Sequence, residues 1–289
     1  MHDRKGLASV WDSASAFSFS VSVCFVCWSL SLAASYAPNF AITMPGRRLA
    51  VDSDFILLTA ATFLPALYCF VAIPQCRTSL LKVDSSWKVY LIAIFTGLSL
   101  PFLSYIGTDF HTPPWGKDAA KHLGRVFASN FLLAPFWEEI VWRGCFLKKI
   151  GSFASAPSGI LLMSIGWTIW HGGYISFLFS RGTPVPALIV LGFTYFFIGV
   201  VLGSVFVLGR GSLWPCVLLH ALLNSSTAVY YSEFNRASEL GSYISELVFA
   251  IIAAVILFIL ASRRNRSSYP RDHCAPDSPS QSDDWNTPH

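Results

Sequence analysis

Charge is what this sequence has least of. Only 12% of its 289 residues are Asp, Glu, Lys or Arg, about half of the roughly 25% usual in soluble globular domains. That shortage excludes a chain whose surface is solvated mainly by water. A disulfide framework is also missing. Cys24, Cys27, Cys69, Cys145 and Cys216 lie in or beside apolar runs, Cys76 follows one, and Cys274 is in the C-terminal tail. Cys24 and Cys27 form a C-x-x-C, but no second pair or histidine follows at zinc spacing. The net charge of +4 is scattered between apolar runs and makes no basic stripe, which excludes nucleic acid as a partner. Neither an internal repeat nor an H-E-x-x-H zinc-protease helix is present.

What is there is apolar: 54% of the residues are hydrophobic, gathered into runs near the ~20 residues that a helix needs to cross a bilayer. The runs predict crossings at about 16–35, 55–73, 89–106, 126–147, 158–180, 186–208, 212–231 and 243–261. The expected fold is therefore all-α, a polytopic transmembrane bundle of about eight helices. Arg4 and Lys5 before the first run, and Ala33, Ala34 and Ser35 at its end, have the pattern of a signal peptide. The long leader containing Asp12 favours an uncleaved helix. Connections carry Pro, Gly and charge, as in Pro45-Gly46-Arg47-Arg48 and Pro113-Pro114 before Lys117. The larger share of Lys and Arg falls on the side of the two termini, which the positive-inside rule assigns to the cytoplasm, with the cell (inner) membrane as the expected location. Arg263, Arg264 and Arg266 form a stop-transfer cluster, and the polar tail after them is expected to be disordered. Four regions result: N-terminal transmembrane helices at 1–118, a core at 119–232, a last helix at 233–262 and the tail at 263–289.

Three groups of polar residues interrupt the apolar helices of the core. Ionisable side chains at bilayer depth cost a few kcal/mol each on insertion scales, so their presence there is by default a functional-site hypothesis. Glu138, Glu139 and Arg143 form the first group. Glu139 and Arg143 stand four apart and share a helix face, where a charge-assisted pair makes both tolerable. Glu138 is turned by about 100° from Glu139, faces elsewhere and is free to act on another group. A carboxylate in a low-dielectric cavity is a stronger proton acceptor than one in water, which suits a general base acting on water. Next comes His171, four residues after Trp167 and followed by Gly172 and Gly173, which thin the helix and admit another backbone or a substrate. The third group is His220 with Asn224, again one turn apart; they are suited to orienting water or donating to a developing oxyanion. Polar residues also glue membrane helices together, and a lone histidine or asparagine is more often a packing bond than a catalyst. Three helices each supplying such groups, with two adjacent acids among them, point past packing to chemistry.

The motifs Glu138-Glu139-x-x-x-Arg143, Trp167-x-x-x-His171 and His220-x-x-x-Asn224, in this order on successive helices, resemble those of the membrane-embedded CAAX protease and bacteriocin-processing (Abi) family. The likeness covers roughly residues 120–232. It implies a type II CAAX-like endopeptidase in which Glu138 activates water and His171 helps to hold it. His220 and Asn224 would stabilise the oxyanion, and Glu139 would pair with Arg143 in support. The aromatic that opens the second motif is usually Phe in the family and is Trp167 here, a conservative departure. The implied partners are the bilayer and a peptide or C-terminal segment of a membrane-associated protein, lipidated or not. No cofactor is expected. Glu138, His171 and His220 also make a His₂Glu set of the kind that holds catalytic zinc, so metal dependence is an alternative to the metal-free mechanism. Two other functions compete: a non-catalytic scaffold or immunity protein that binds a partner peptide, and a proton-coupled transporter. The absence of broken-helix pairs and of half-to-half symmetry counts against transport.

Overall fold

The structure is a computed structural model that describes residues 42–44, 47–49, 63–71, 81–83, 85–106, 119–132, 134–151, 155–234 and 240–268. The predicted first crossing and residues 269–289 of the C-terminal tail lie outside the described residues, whereas residues 263–268, expected to open the polar tail, continue the last helix instead. After a short antiparallel hairpin, β1 (Ile42–Met44) with β2 (Arg47–Leu49), all regular structure is helical. We number the helices α1 (63–71), α2 (Trp87–Ile106), α3 (Ala119–Leu132), α4 (Ala134–Glu139), α5 (Lys148–Gly151), α6 (Ala156–Trp170), α7 (Gly172–Ser180), α8 (Val185–Leu208), α9 (Trp214–Phe234) and α10 (Leu240–Ser268). A π-helical segment, Ile140–Leu147, joins α4 to α5. The fold is an all-α bundle, as expected.

Two predicted crossings are broken. The run 126–147 is divided between α3 and the α4–π unit, and Pro135 in the first turn of α4 explains why. Proline has no N–H and its ring clashes with the preceding turn, so a continuous helix cannot pass through it. The run 158–180 divides at His171, a turn residue between α6 and α7, where Gly172 and Gly173 weaken the helix. An added Cβ at Gly172 would meet nothing within 4 Å. Of the two approaches expected there, by another backbone or by a substrate, no described backbone takes up the space at Gly172.

Helix α8 is the central element, packed most extensively against α10 and α6. Gly199 and Gly203 stand one turn apart on the face toward α6. A Cβ at Gly199 would lie 3.0 Å from Ser164 Cβ, and one at Gly203 would lie 3.0 Å from Met163 Cε. These small residues let two helices approach closely enough for dispersion contacts to hold them. The opposing helix is patterned to match. On α6 the buried residues Gly159, Ile160, Met163, Ser164 and Trp167 form one stripe, while Leu161, Leu162, Ile165 and Ile169 face outward. Its start is set by Ser155, whose Oγ accepts from the Ser158 backbone N–H. Two hydroxyls on these helices are satisfied by their own backbone, as Ser164 Oγ donates to the Ile160 carbonyl and Thr194 Oγ1 to that of Val190.

Among the described residues, two helices are long and apolar enough to cross a bilayer, Val185–Leu208 and Leu240–Arg264. Their outward faces are apolar as well: Val185, Ile189 and Phe193 on α8, and Ile244, Val248, Ile252, Val255, Ile256 and Ile259 on α10, are exposed. Of the described cysteines, Cys69 and Cys216 are free and buried. Cys145 is disulfide-bonded, which the reading of a chain without a disulfide framework did not anticipate.

Candidate functional site

The three sequence motifs meet in the middle of the bundle. The α4–π unit brings Glu138, Glu139 and Arg143; α6 brings Trp167 and, at its end, His171; α9 brings His220. Glu139 and Arg143 are fully buried and paired, with Arg143 Nη1 donating to Glu139 Oε1 at 3.1 Å. The same Oε1 lies 2.8 Å from His220 Nδ1. A carboxylate only accepts, so Nδ1 carries the hydrogen and the imidazole is oriented by it. That leaves Nε2 directed at the other glutamate, 3.9 Å from Glu138 Oε2. The gap is too long for a direct hydrogen bond and short enough for one bridging water.

Glu138 is expected to face away from Arg143 and to be free to act on another group. The group it meets is the Trp167 indole, whose N–H donates to Glu138 Oε2 at 3.2 Å. The helical wheel that turned Glu138 away from Glu139 says nothing of what a second helix brings to it. The indole also supports the rest of the cluster. Its ring lies 5.0 Å below the Arg143 guanidinium, a cation–π contact that partly replaces the hydrogen bonds missing at buried Arg143 Nε and Nη2. It stands edge-on to the His220 ring, at 5.7 Å between centroids.

His171 joins the cluster through Trp167 and forms no hydrogen bond to either glutamate. Its Nδ1 is 2.9 Å from the Trp167 carbonyl oxygen, its ring packs edge-on to the Trp167 ring at 4.3 Å and it stacks on Tyr195 of α8 at 4.1 Å. The carbonyl takes the Nδ1 hydrogen, which leaves Nε2 as an acceptor. Asn224, one turn beyond His220 on α9, is exposed. The face of α9 that holds both therefore runs from the buried cluster out to the surface. Beside it, Asn130 of α3 donates to Ser225 Oγ at 3.2 Å.

Among the described residues, no three His, Cys, Asp or Glu side chains converge as a set of metal ligands. Glu138 and His220 face each other, while the Nδ1 edge of His171 is turned to the Trp167 backbone.

Two residues of the site were not legible in the motifs. Tyr195, the stacking partner of His171, sits in an apolar helix with no polar pattern around it. Trp167 had been noted as an aromatic ring alone, although its N–H was the available signal. A third polar residue, Glu246, is half-buried in α10 near Tyr243 and belongs to no motif.

A helical bundle that buries an acid pair, an arginine and a histidine, with a second histidine half-buried beside them, defines a class: helical proteins with a polar site enclosed in an apolar frame. Comparison with known proteins narrows it. Residues 122–226 match the family model described as type II CAAX prenyl endopeptidase Rce1-like, a span of just over a third of the chain that contains all three motifs. This similarity supports a CAAX-type protease. No curated protein matches the chain.

Proposed function

We propose that this chain is a polytopic intramembrane endopeptidase that hydrolyses a peptide bond near the membrane face with water activated by Glu138. The observation that carries the reading is the His220 imidazole set between the two glutamates, bonded to Glu139 through Nδ1 and facing Glu138 through Nε2. A water lodged between Glu138 Oε2 and His220 Nε2 has both an acceptor for its proton and a group that fixes its orientation. The water oxygen bonds to the scissile carbonyl carbon while its proton passes to Glu138. The carbonyl oxygen becomes an oxyanion, which takes donors from the Asn224 amide and from His220 in the form that carries a hydrogen on Nε2 as well as on Nδ1. Collapse re-forms the carbonyl and breaks the C–N bond, and Glu138 returns the proton to the leaving amine. In this reading His171 helps to hold the water, and Glu139 with Arg143 keeps His220 in place.

The mechanism we propose uses no metal. The substrate is a peptide or C-terminal segment of a membrane-associated protein, lipidated or otherwise apolar, reaching the site from the bilayer. In this reading the chain crosses the cell membrane several times with both termini in the cytoplasm; the outward apolar faces of α8 and α10 support contact with the bilayer, and the distribution of Lys and Arg supports the orientation.

The test is cleavage of membrane-proximal and prenylated C-terminal peptides by detergent-purified protein, beside Glu138→Ala and beside a chelator. Cleavage is expected from the parent, with and without chelator. The variant should lose at least about a thousandfold in turnover, the scale expected when the base of a concerted set is removed. Activity that vanishes with chelation and returns with zinc overturns the metal-free step. A partner peptide bound equally by both proteins, with no cleavage by either, points to the scaffold.

A further inference from the structure

We infer that Trp167 is a positioning residue whose indole N–H fixes the Glu138 carboxylate, a task that the phenylalanine usual at this place in the resembling family has no atom to perform. The inference rests on the proposed role of Glu138 as the base and adds a residue to it. Trp167 is 1% exposed, so its N–H has no access to bulk water and needs an internal acceptor. That acceptor is Glu138 Oε2 at 3.2 Å, the same oxygen that faces His220 Nε2. One oxygen thus receives the indole donor on one side and meets the imidazole on the other. Among the described residues, none donates to the second oxygen of the carboxylate, Oε1.

The position of the indole is itself determined from several sides. Arg143 lies over its face, His171 and His220 meet it edge-on, and Tyr195 closes it at 6.0 Å between centroids. A ring held on so many sides cannot follow the carboxylate if it rotates. The N–H is therefore a fixed post, and Glu138 is held to it. A flexible carboxylate that must be found in one rotamer loses effective concentration toward its water. A charge-assisted hydrogen bond from a rigid donor limits that search.

The experiment separates the donor from the ring. Trp167→Phe keeps an aromatic ring and removes the N–H. Replacement of Trp167 by 3-benzothienylalanine keeps the size and shape of indole with sulfur in place of the N–H. If the donor positions Glu138, both variants lose about tenfold to a hundredfold in kcat, the worth of a hydrogen bond to a charged group, while KM and the melting temperature of the benzothienyl protein stay at parent values. A merely structural ring would leave the benzothienyl protein fully active, and that result overturns the inference.

A second readout does not depend on catalysis. In protein labelled with ¹⁵N at the indole nitrogens, the cross-peak lost in Trp167→Phe identifies Trp167 among the ten tryptophans. Glu138→Gln is expected to move that peak more than any other, because a neutral amide accepts more weakly than a carboxylate. An unmoved peak overturns the inference even if the peptidase is active. A moved peak in a protein that cleaves nothing retains the Trp167–Glu138 bond and sinks the peptidase reading instead.

Discussion

Glu139 Oε1 takes two donors at once, Arg143 Nη1 and His220 Nδ1, and both partners are buried. Three ionisable groups thus share one buried node, and the cost of taking charges out of water is offset only while the set is complete. Arg143→Ala removes the guanidinium from a site where it is fully buried and leaves Glu139 with the imidazole alone. The expected loss is about 3–5 kcal/mol of stability, read as a lowered melting temperature and poor accumulation. Arg143→Lys should recover only part of it. An ammonium is a compact point charge and cannot lie flat over the Trp167 ring while bonding Glu139. A variant at Arg143 that melts like the parent would show that the pair bears no structural load. Glu138→Ala, by contrast, removes a side chain whose partners are one indole N–H and a facing imidazole, so its effect should appear in turnover far more than in folding.

At the scale of the element, the site depends on how closely α6 and α8 approach. Trp167 and His171 are carried by α6 and Tyr195 by α8, and the distance between these helices is set at Gly199 and Gly203. A side chain at Gly199 would meet the Ser164 backbone as well as its side chain, with Ser164 Cα at 3.2 Å. Backbone cannot move aside as a flexible side chain can. Gly199→Val is expected to cost about 1–3 kcal/mol by overpacking and to reduce turnover as α6 carries Trp167 away from Glu138. Gly192→Ala is the control, since its Cβ would meet only Ile175 Cδ1 at 3.8 Å. Equal stability of Gly199→Val and Gly192→Ala, measured by thermal unfolding, would remove the close approach from the account. The same elements mark how far the sequence could be read. Spacing of four predicted the Glu139–Arg143 pair, because one helix holds both residues, and apolar run length located α2, α8, α9 and α10 to within a few residues. The divisions at Pro135 and His171 carried their signals in Pro and Gly, but a hydropathy run passes over single residues. Partners from different helices were not legible: the indole on Glu138, the imidazole on Glu139 and the tyrosine on His171 are products of packing, which no periodicity records.

For the whole molecule, charge and apolarity are arranged along one axis. Lys82 Nζ donates to the Arg210 carbonyl at 2.6 Å and Arg264 Nη1 to the Leu208 carbonyl at 2.7 Å, so cations from three parts of the chain gather where α8 ends. The free carbonyls of a helix C-terminus carry partial negative charge and attract them. Arg210 itself takes a left-handed turn at φ +55°, followed by Gly211 at φ +82°, which reverses the chain into α9. Burial of Lys148 and the nearby charge of Lys82 both lower the pKa of the Lys148 ammonium, a further sign that this end concentrates positive charge. At the other end of α8 lies Arg181, exposed in the turn after α7. Between them run the 24 residues of α8, about 36 Å at 1.5 Å per residue, enough to cross the ~30 Å hydrocarbon core. If the basic end is cytoplasmic, Arg210→Cys should react with a membrane-impermeant maleimide only in inverted vesicles or after permeabilisation, and Arg181→Cys only from outside, each read as labelling above the parent. Labelling of both from one side would mean that α8 does not span. Opposite labelling with the sides exchanged would keep the crossing and reverse the orientation, placing the positive end away from the cytoplasm.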